Sequence, residues 1–193
     1  MTTEFKIIEE PKKPLAMDPK KFGMWLFVAS VGMLFASLTS AYIVRQAEGN
    51  WLYFDLPATL YWSTGVILFS SVTMQMAFRA AKKDLLERVK LLVSITMGLG
   101  LLFMAGQLAA WKDLVAQNVY FVGNPSGSFL YVITGLHALH IISALAYLVI
   151  VLVSSYRLKI NSRNLIQIEM CTTYWHFLGG LWLYLFIFLL LNR

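Results

Sequence analysis

Five long apolar runs joined by short polar segments constrain this chain more than any other feature of it. They fall at about 22–45, 59–80, 88–111, 127–154 and 165–191. Each has the ~20 residues a helix needs to cross the hydrocarbon core of a bilayer. No water is available there for backbone N–H and C=O groups, so a lone run of this length has to be helical. Composition agrees: only 13% of the residues are charged, against ~25% in a typical soluble domain. The expected fold is all-α, a polytopic membrane protein whose five-transmembrane-helix bundle occupies 22–191 behind a tail at 1–21. That tail mixes acids and bases with prolines and lacks an apolar stretch, so it reads as a cytoplasmic segment and not as a cleavable signal.

Orientation follows from the 16 Lys and Arg. Five lie in the tail (Lys6, Lys12, Lys13, Lys20, Lys21), five between the second and third runs (Arg79, Lys82, Lys83, Arg88, Lys90) and three between the fourth and fifth (Arg157, Lys159, Arg163). The opposite side has only Arg45, Lys112 and Arg193. The bias alternates with every crossing and predicts a cytoplasmic N-terminus and an outer C-terminus. It also accounts for the net charge of +6, so the basicity does not call for nucleic acid as a partner. Trp51, Tyr53, Phe54, Tyr120 and Phe121 fall in the two outer loops, where aromatic belts are expected. The single cysteine, Cys171, allows neither a disulfide framework nor a cysteine-based metal site. The sequence contains no phosphate-binding glycine loop, nucleophile motif or internal repeat, and "NPSGS" at 124–128 reads as a turn.

Buried polar residues are few and therefore informative. All three histidines, His137, His140 and His176, lie in spans, and of the ten acids only Glu169 does. Such groups are costly in lipid and are functional-site candidates by default. His137 and His140 are three apart and share a helix face. Glu169, Thr172, Thr173, His176, Gly179 and Gly180 form one stripe of polar and small side chains, a surface suited to close helix packing. The sharper possibilities are a b-type haem held by His176 with His137 or His140, or zinc or copper held by all three. His137 and His140 cannot clamp opposite faces of one haem, and no acid or thiolate lies at their depth. The plainer reading has the histidines hydrogen-bonded between helices and Glu169 in a structural hydrogen bond or a pair with a basic loop residue, the sharper role for Glu169 being a proton relay near the membrane surface. The nine methionines read as packing filler.

These residues carry a resemblance. "YVITGLHALHIISALAYLVIVL" is similar to the penultimate helix of subunit III of the haem-copper oxidases, whose hallmark is Gly-x-His-x-x-His after a segment such as "SGSF". "IEMCTTYWHFLGGLWLYLFIFLL" resembles the family's final helix, with a Trp-His-Phe core and a tryptophan, here Trp182, six residues after the histidine. "KFGMWLFVAS", "LFSSVT" at 68–73, and Gln107 with Trp111 suit the three helices before them. The likeness runs in order through residues 20–191 and matches the compact five-helix bacterial form.

What the resemblance implies is an accessory, non-redox subunit of a proton-pumping terminal oxidase that reduces oxygen to water. It would pack against the catalytic subunit I, with subunit II, bind phospholipid, and support assembly, stability and proton uptake. Haem and copper would sit in the partner subunits and none in this chain. The location would be a bacterial plasma (inner) membrane, with a larger respiratory supercomplex possible. On this reading His137, His140, Glu169 and His176 belong to a polar network or to lipid contacts. Three positions depart from the family: carboxylates found in many members are replaced by Val31, Ala110 and Gly179. A proton-antenna role resting on those acids is therefore in doubt. Other classes are a small haem-binding membrane cytochrome, which would itself retain haem, and a transporter, which would show inverted repeats and more intramembrane charge.

Overall fold

The computed structural model describes residues 18–157 and 164–192. They form five helices: α1 (Pro19–Ala47), α2 (Ala58–Lys82), α3 (Leu86–Ala116), α4 (Pro125–Tyr156) and α5 (Ile166–Leu191). Most of the tail lies outside the described residues, as do the orientation-setting cations Lys6, Lys12, Lys13, Lys159, Arg163 and Arg193.

Helix starts follow local chemistry. Asp18 caps α1 by accepting the Lys20 N–H, with Pro19 in the first turn. Asn124 does the same for α4, accepting the Ser126 N–H ahead of Pro125. Both pair a capping oxygen with a proline whose missing N–H costs nothing at that position. The α2–α3 connection is tight: Asp84 takes φ +53°, a left-handed conformation that Asp and Asn tolerate better than other side chains.

α2 and α3 form a closely packed antiparallel pair, α3 also meets α4, and α5 touches α1, α2 and α4. α1 meets only α4 and α5. The core between them is aromatic, with Phe35, Phe103, Trp175 and Trp182 almost completely enclosed. The outer surface is also apolar: Met33 is 73% exposed and Trp62 80%. Exposed apolar area of this extent belongs against lipid or a partner, not water.

Four helices, α1, α3, α4 and α5, are long and apolar enough to cross a membrane. At 25 residues α2 has the length but is diluted by Ser63, Thr64, Ser70, Ser71, Thr73 and Gln75. Ser63, Thr64, Ser70 and Thr73 are buried against the rest of the bundle. The low hydropathy of α2 thus measures a polar inner face; Trp62, Phe69 and Val72 on the outside are exposed and apolar.

Close approach depends on one glycine in particular. A Cβ at Gly100 would lie 2.7 Å from Trp175 Cη2 and 2.8 Å from Leu145 Cδ2, whereas one at Gly98 would meet nothing within 4 Å. Gly100→Ala is expected to destabilise the bundle by ~1–3 kcal/mol through overpacking. Gly98→Ala should be neutral or stabilising, by up to ~1 kcal/mol of helix propensity. Unfolding midpoints of the two variants in mixed detergent–SDS micelles check this contrast.

Candidate functional site

The inner face of α2 is a ladder of side-chain hydrogen bonds to α3 and α5. Toward α3, Gln107 Nε2 donates to Ser63 Oγ at 3.2 Å, and the Thr73 and Thr96 hydroxyls meet at 2.8 Å. Toward α5, Trp182 Nε1 donates to Thr64 Oγ1 at 2.9 Å and Trp175 Nε1 to Ser70 Oγ at 3.0 Å. His176 Nε2 and Gln75 Oε1 complete the set at 3.0 Å. The α2 hydroxyls are prepared for this role. Thr64 donates its own proton to Leu60 O at 2.7 Å and Ser70 donates to Ile67 O at 2.7 Å. Their lone pairs are thereby left facing the indole N–H groups, which can only donate. At Gly179 the helices come so close that a Cβ would lie 2.9 Å from Ser71 Oγ.

The four candidate residues sit in four different settings. His176 belongs to the ladder. Glu169, in the first turn of α5, receives Lys21 Nζ at 2.8 Å; the partner comes from the first turn of α1. Both groups are partly exposed, so the pair contributes only ~0.2–1 kcal/mol. His140 is half-buried, and its Nδ1 lies 2.8 Å from Leu136 O of its own helix. That carbonyl can only accept, so Nδ1 is the donor.

His137 differs from all of these. It is 0% exposed, and neither ring nitrogen has a hydrogen-bond partner among the described residues. The neighbours of the ring are Trp182 at 5.1 Å, Phe103 at 6.1 Å and Phe35 at 6.2 Å between centroids. Phe35 also flanks His140, at 5.7 Å. Thus α4 points its histidine pair at α1, with His137 also reaching α3 and α5 through their rings, and no hydrogen bond links it to His140, His176 or Glu169. An unpaired buried polar group costs ~1–3 kcal/mol, which N–H contacts to aromatic faces offset only in part.

Among the described residues no three His, Cys, Asp or Glu side chains come together in a metal-binding group. Where the resemblance leads one to look for carboxylates, Val31 is 4% and Ala110 0% exposed, and Gly179 lies against α2. The inner face of α2 lies outside the candidate residues: Ser63, Thr64 and Gln75 carry no expectation from the sequence, and Ser70 and Thr73 enter only within the family-like stretch 68–73. The available signal was the seven-residue spacing of Ser63 and Ser70 with Thr73 three residues on, one helix face of hydroxyls inside an apolar run.

Helices held by internal polar bonds, with apolar faces outward, define an all-α membrane protein. Its lineage is specific: the chain belongs to the cytochrome c oxidase subunit III family, whose model matches residues 53–192. The chain is 31% identical over 174 residues to the probable cytochrome c oxidase subunit 3 of Nocardia farcinica, covering 85% of this chain and 83% of that one. It is 25% identical over 187 residues to cytochrome c oxidase subunit 3 of Bacillus sp. (strain PS3), covering 94% and 90%. It is also 25% identical over 185 residues to the cytochrome bo(3) ubiquinol oxidase subunit 3 of Buchnera aphidicola, covering 93% and 97%. The family match begins after α1, and the longer alignments reach into it. The chain is therefore an accessory subunit of a haem-copper terminal oxidase, associated with other subunits of that complex.

Ser70→Ala removes the acceptor of the buried Trp175 indole and is expected to cost ~1–2 kcal/mol. Glu169→Gln should cost less than ~1 kcal/mol. An SDS titration of the two variants, followed by intrinsic fluorescence, should place Ser70→Ala well below Glu169→Gln in midpoint.

Proposed function

We propose that this chain serves its oxidase as a non-catalytic, structural and lipid-organising subunit without haem, copper or another metal of its own. It crosses a bacterial plasma (inner) membrane five times, α2 included, with the N-terminus in the cytoplasm and the C-terminus outside. One side packs against the catalytic subunit I, with subunit II completing the core complex, and phospholipid fills the apolar surface left over. A respiratory supercomplex is compatible with this arrangement.

The observation that carries the reading is the α2 ladder. The polar side chains of its inner face are engaged in bonds that hold helices together, and these α2 groups are hydroxyls and an amide, with no carboxylate, thiol or imidazole among them. The absence of a carboxylate at Val31, Ala110 and Gly179 points the same way. His137, His140, Glu169 and His176 are on this view structural residues of the bundle interior and its surface. The relatives' names include both cytochrome c and quinol oxidases, so the electron donor is a property of other subunits.

The test is a reduced-minus-oxidised visible spectrum of the complex purified through a tag on this chain, repeated after the chain has been stripped off. Haem bands that co-purify and then remain wholly with the other subunits are expected. A b-type band retained by the isolated 193-residue chain would overturn the proposal and make His176 with His137 or His140 the axial pair to mutate. Removing the chain should shorten the active lifetime of the oxidase during turnover, while Glu169→Gln in the intact complex should leave the initial proton-uptake rate near wild type. A severe fall in that rate would contradict the structural assignment.

A further inference from the structure

The α2–α3 turn carries five cations, and the structure sorts them into two groups. Lys82 Nζ lies 4.4 Å above the Phe78 ring. Lys90 Nζ is 2.8 Å from Glu87 Oε1 and 5.5 Å from the Tyr156 ring centre. Arg79, Lys83 and Arg88 have no such partner: none of the three makes an ion pair or side-chain hydrogen bond among the described residues. All three line one cleft of about 280 Å³ between the two helices. Asp84, in the turn itself, is not part of its lining.

The rest of that lining is apolar. Met76 and Leu92 lie on the walls and Leu85 at the turn; Met76 is 49% and Leu85 40% exposed. Position along the helices matters. Met76 is one turn from Arg79, and Leu92 one turn from Arg88, both toward the middle of the bundle, roughly 4.5–6 Å deeper at 1.5 Å per residue. The cleft is therefore cationic at the rim and apolar below, with its axis along the helices. A small soluble anion would use only the rim. A molecule with a negative head and a hydrocarbon tail would use both parts.

We infer that this cleft is a binding site for the phosphate headgroup of an anionic membrane phospholipid, held by Arg79, Lys83 and Arg88 with an acyl chain along Met76 and Leu92. Two guanidinium groups can each donate in parallel to phosphate oxygens, and the ammonium adds a compact charge. The positive-inside bias explains why cations lie at this turn. It does not explain why three of them converge on one cleft while their two neighbours are paired elsewhere. Cationic clefts between helices at this membrane level attract anionic lipids, each Lys or Arg contributing roughly five-fold in affinity. The inference rests on the proposed membrane-embedded, lipid-organising role, and it adds the ligand class and the residues.

The test is native mass spectrometry of the oxidase complex carrying the full chain, delipidated and titrated with phosphatidylglycerol, cardiolipin or phosphatidylcholine in mild detergent. The variants are the triple Arg79→Gln/Lys83→Gln/Arg88→Gln and, as a control for charge lost at the same turn outside the cleft, the double Lys82→Gln/Lys90→Gln. The wild type should bind at least one anionic phospholipid ~10-fold or more tightly than phosphatidylcholine. That preference should be lost in the triple variant, kept in the control and weakened by salt. Inorganic phosphate at millimolar concentration should not compete. The inference is overturned if the triple variant keeps the preference, or if phosphate alone competes through the same three residues, which would make this an anion site. Loss of another subunit from the triple variant with lipid binding unchanged would also overturn it and assign the cleft to a protein contact. Co-purification of the haem bands is read from the same samples, so failure of the subunit assignment is seen separately from failure of the lipid site.

Discussion

A polar group inside a hydrocarbon layer has to be satisfied by the protein itself, and the arrangement of this bundle follows from that requirement. Backbone groups meet it by forming helices. The side chains meet it largely at one helix, α2, which spends Ser63, Thr64, Ser70, Thr73 and Gln75 on bonds to α3 and α5. Because lipid tails are as apolar as leucine, there is little hydrophobic force between helices in a membrane, and such bonds together with close packing decide which helices associate. Each is modest, ~0.6 kcal/mol on average in this setting, but five of them on one face also set the rotation of α2 about its axis.

The tryptophans of α5 explain how polar bonds and tight packing coexist. Trp175 and Trp182 fill the centre with rings and put their only polar atom on an α2 hydroxyl. Gly100 makes room for the first ring, and Phe103 packs edge-on against the second at 5.2 Å. His137 is the furthest departure from polar satisfaction among the described residues, where Trp51 Nε1 and Gln107 Oε1 also lack a partner. The histidine lies against Trp182 with both nitrogens unpaired, so it adds to the aromatic packing at the cost of an unpaired polar ring.

At the membrane boundary the chemistry changes from bonding helices to meeting surroundings. Lys21 and Glu169 tie the start of α1 to the start of α5, which matters because α1 otherwise touches only α4 and α5. At the opposite end of the bundle, Tyr42 Oη and Gln46 Nε2 both donate to Asn192 O at 3.0 Å, which fastens the end of α1 to the end of α5. The fold is thus pinned at both ends of the bundle, while Arg79, Lys83 and Arg88 at the α2–α3 turn make no ion pair among the described residues.

Much of the fold was legible from the linear pattern. A continuous apolar run of spanning length has one low-energy solution in lipid, so the five helices lie within a few residues of their expected positions; the capping residues Asp18 and Asn124, each before a proline, are equally local signals. The family could also be read from short motifs around His137, His140 and His176, since these are strings of residues at fixed spacing. What the chain does with those residues could not be read that way. Spacing places His137 beside His140 on one face, but only the packing of five helices decides that His176 turns to Gln75, that Glu169 meets Lys21 from 148 positions away, and that His137 is left among rings. The same holds for the hydroxyls of α2. Sequence by itself determined which segments are helices, because backbone hydrogen bonding in lipid is a local matter. Tertiary structure decided which polar side chains bind one another, because a hydrogen bond needs a partner within about 3 Å, and that distance is set by how distant helices pack.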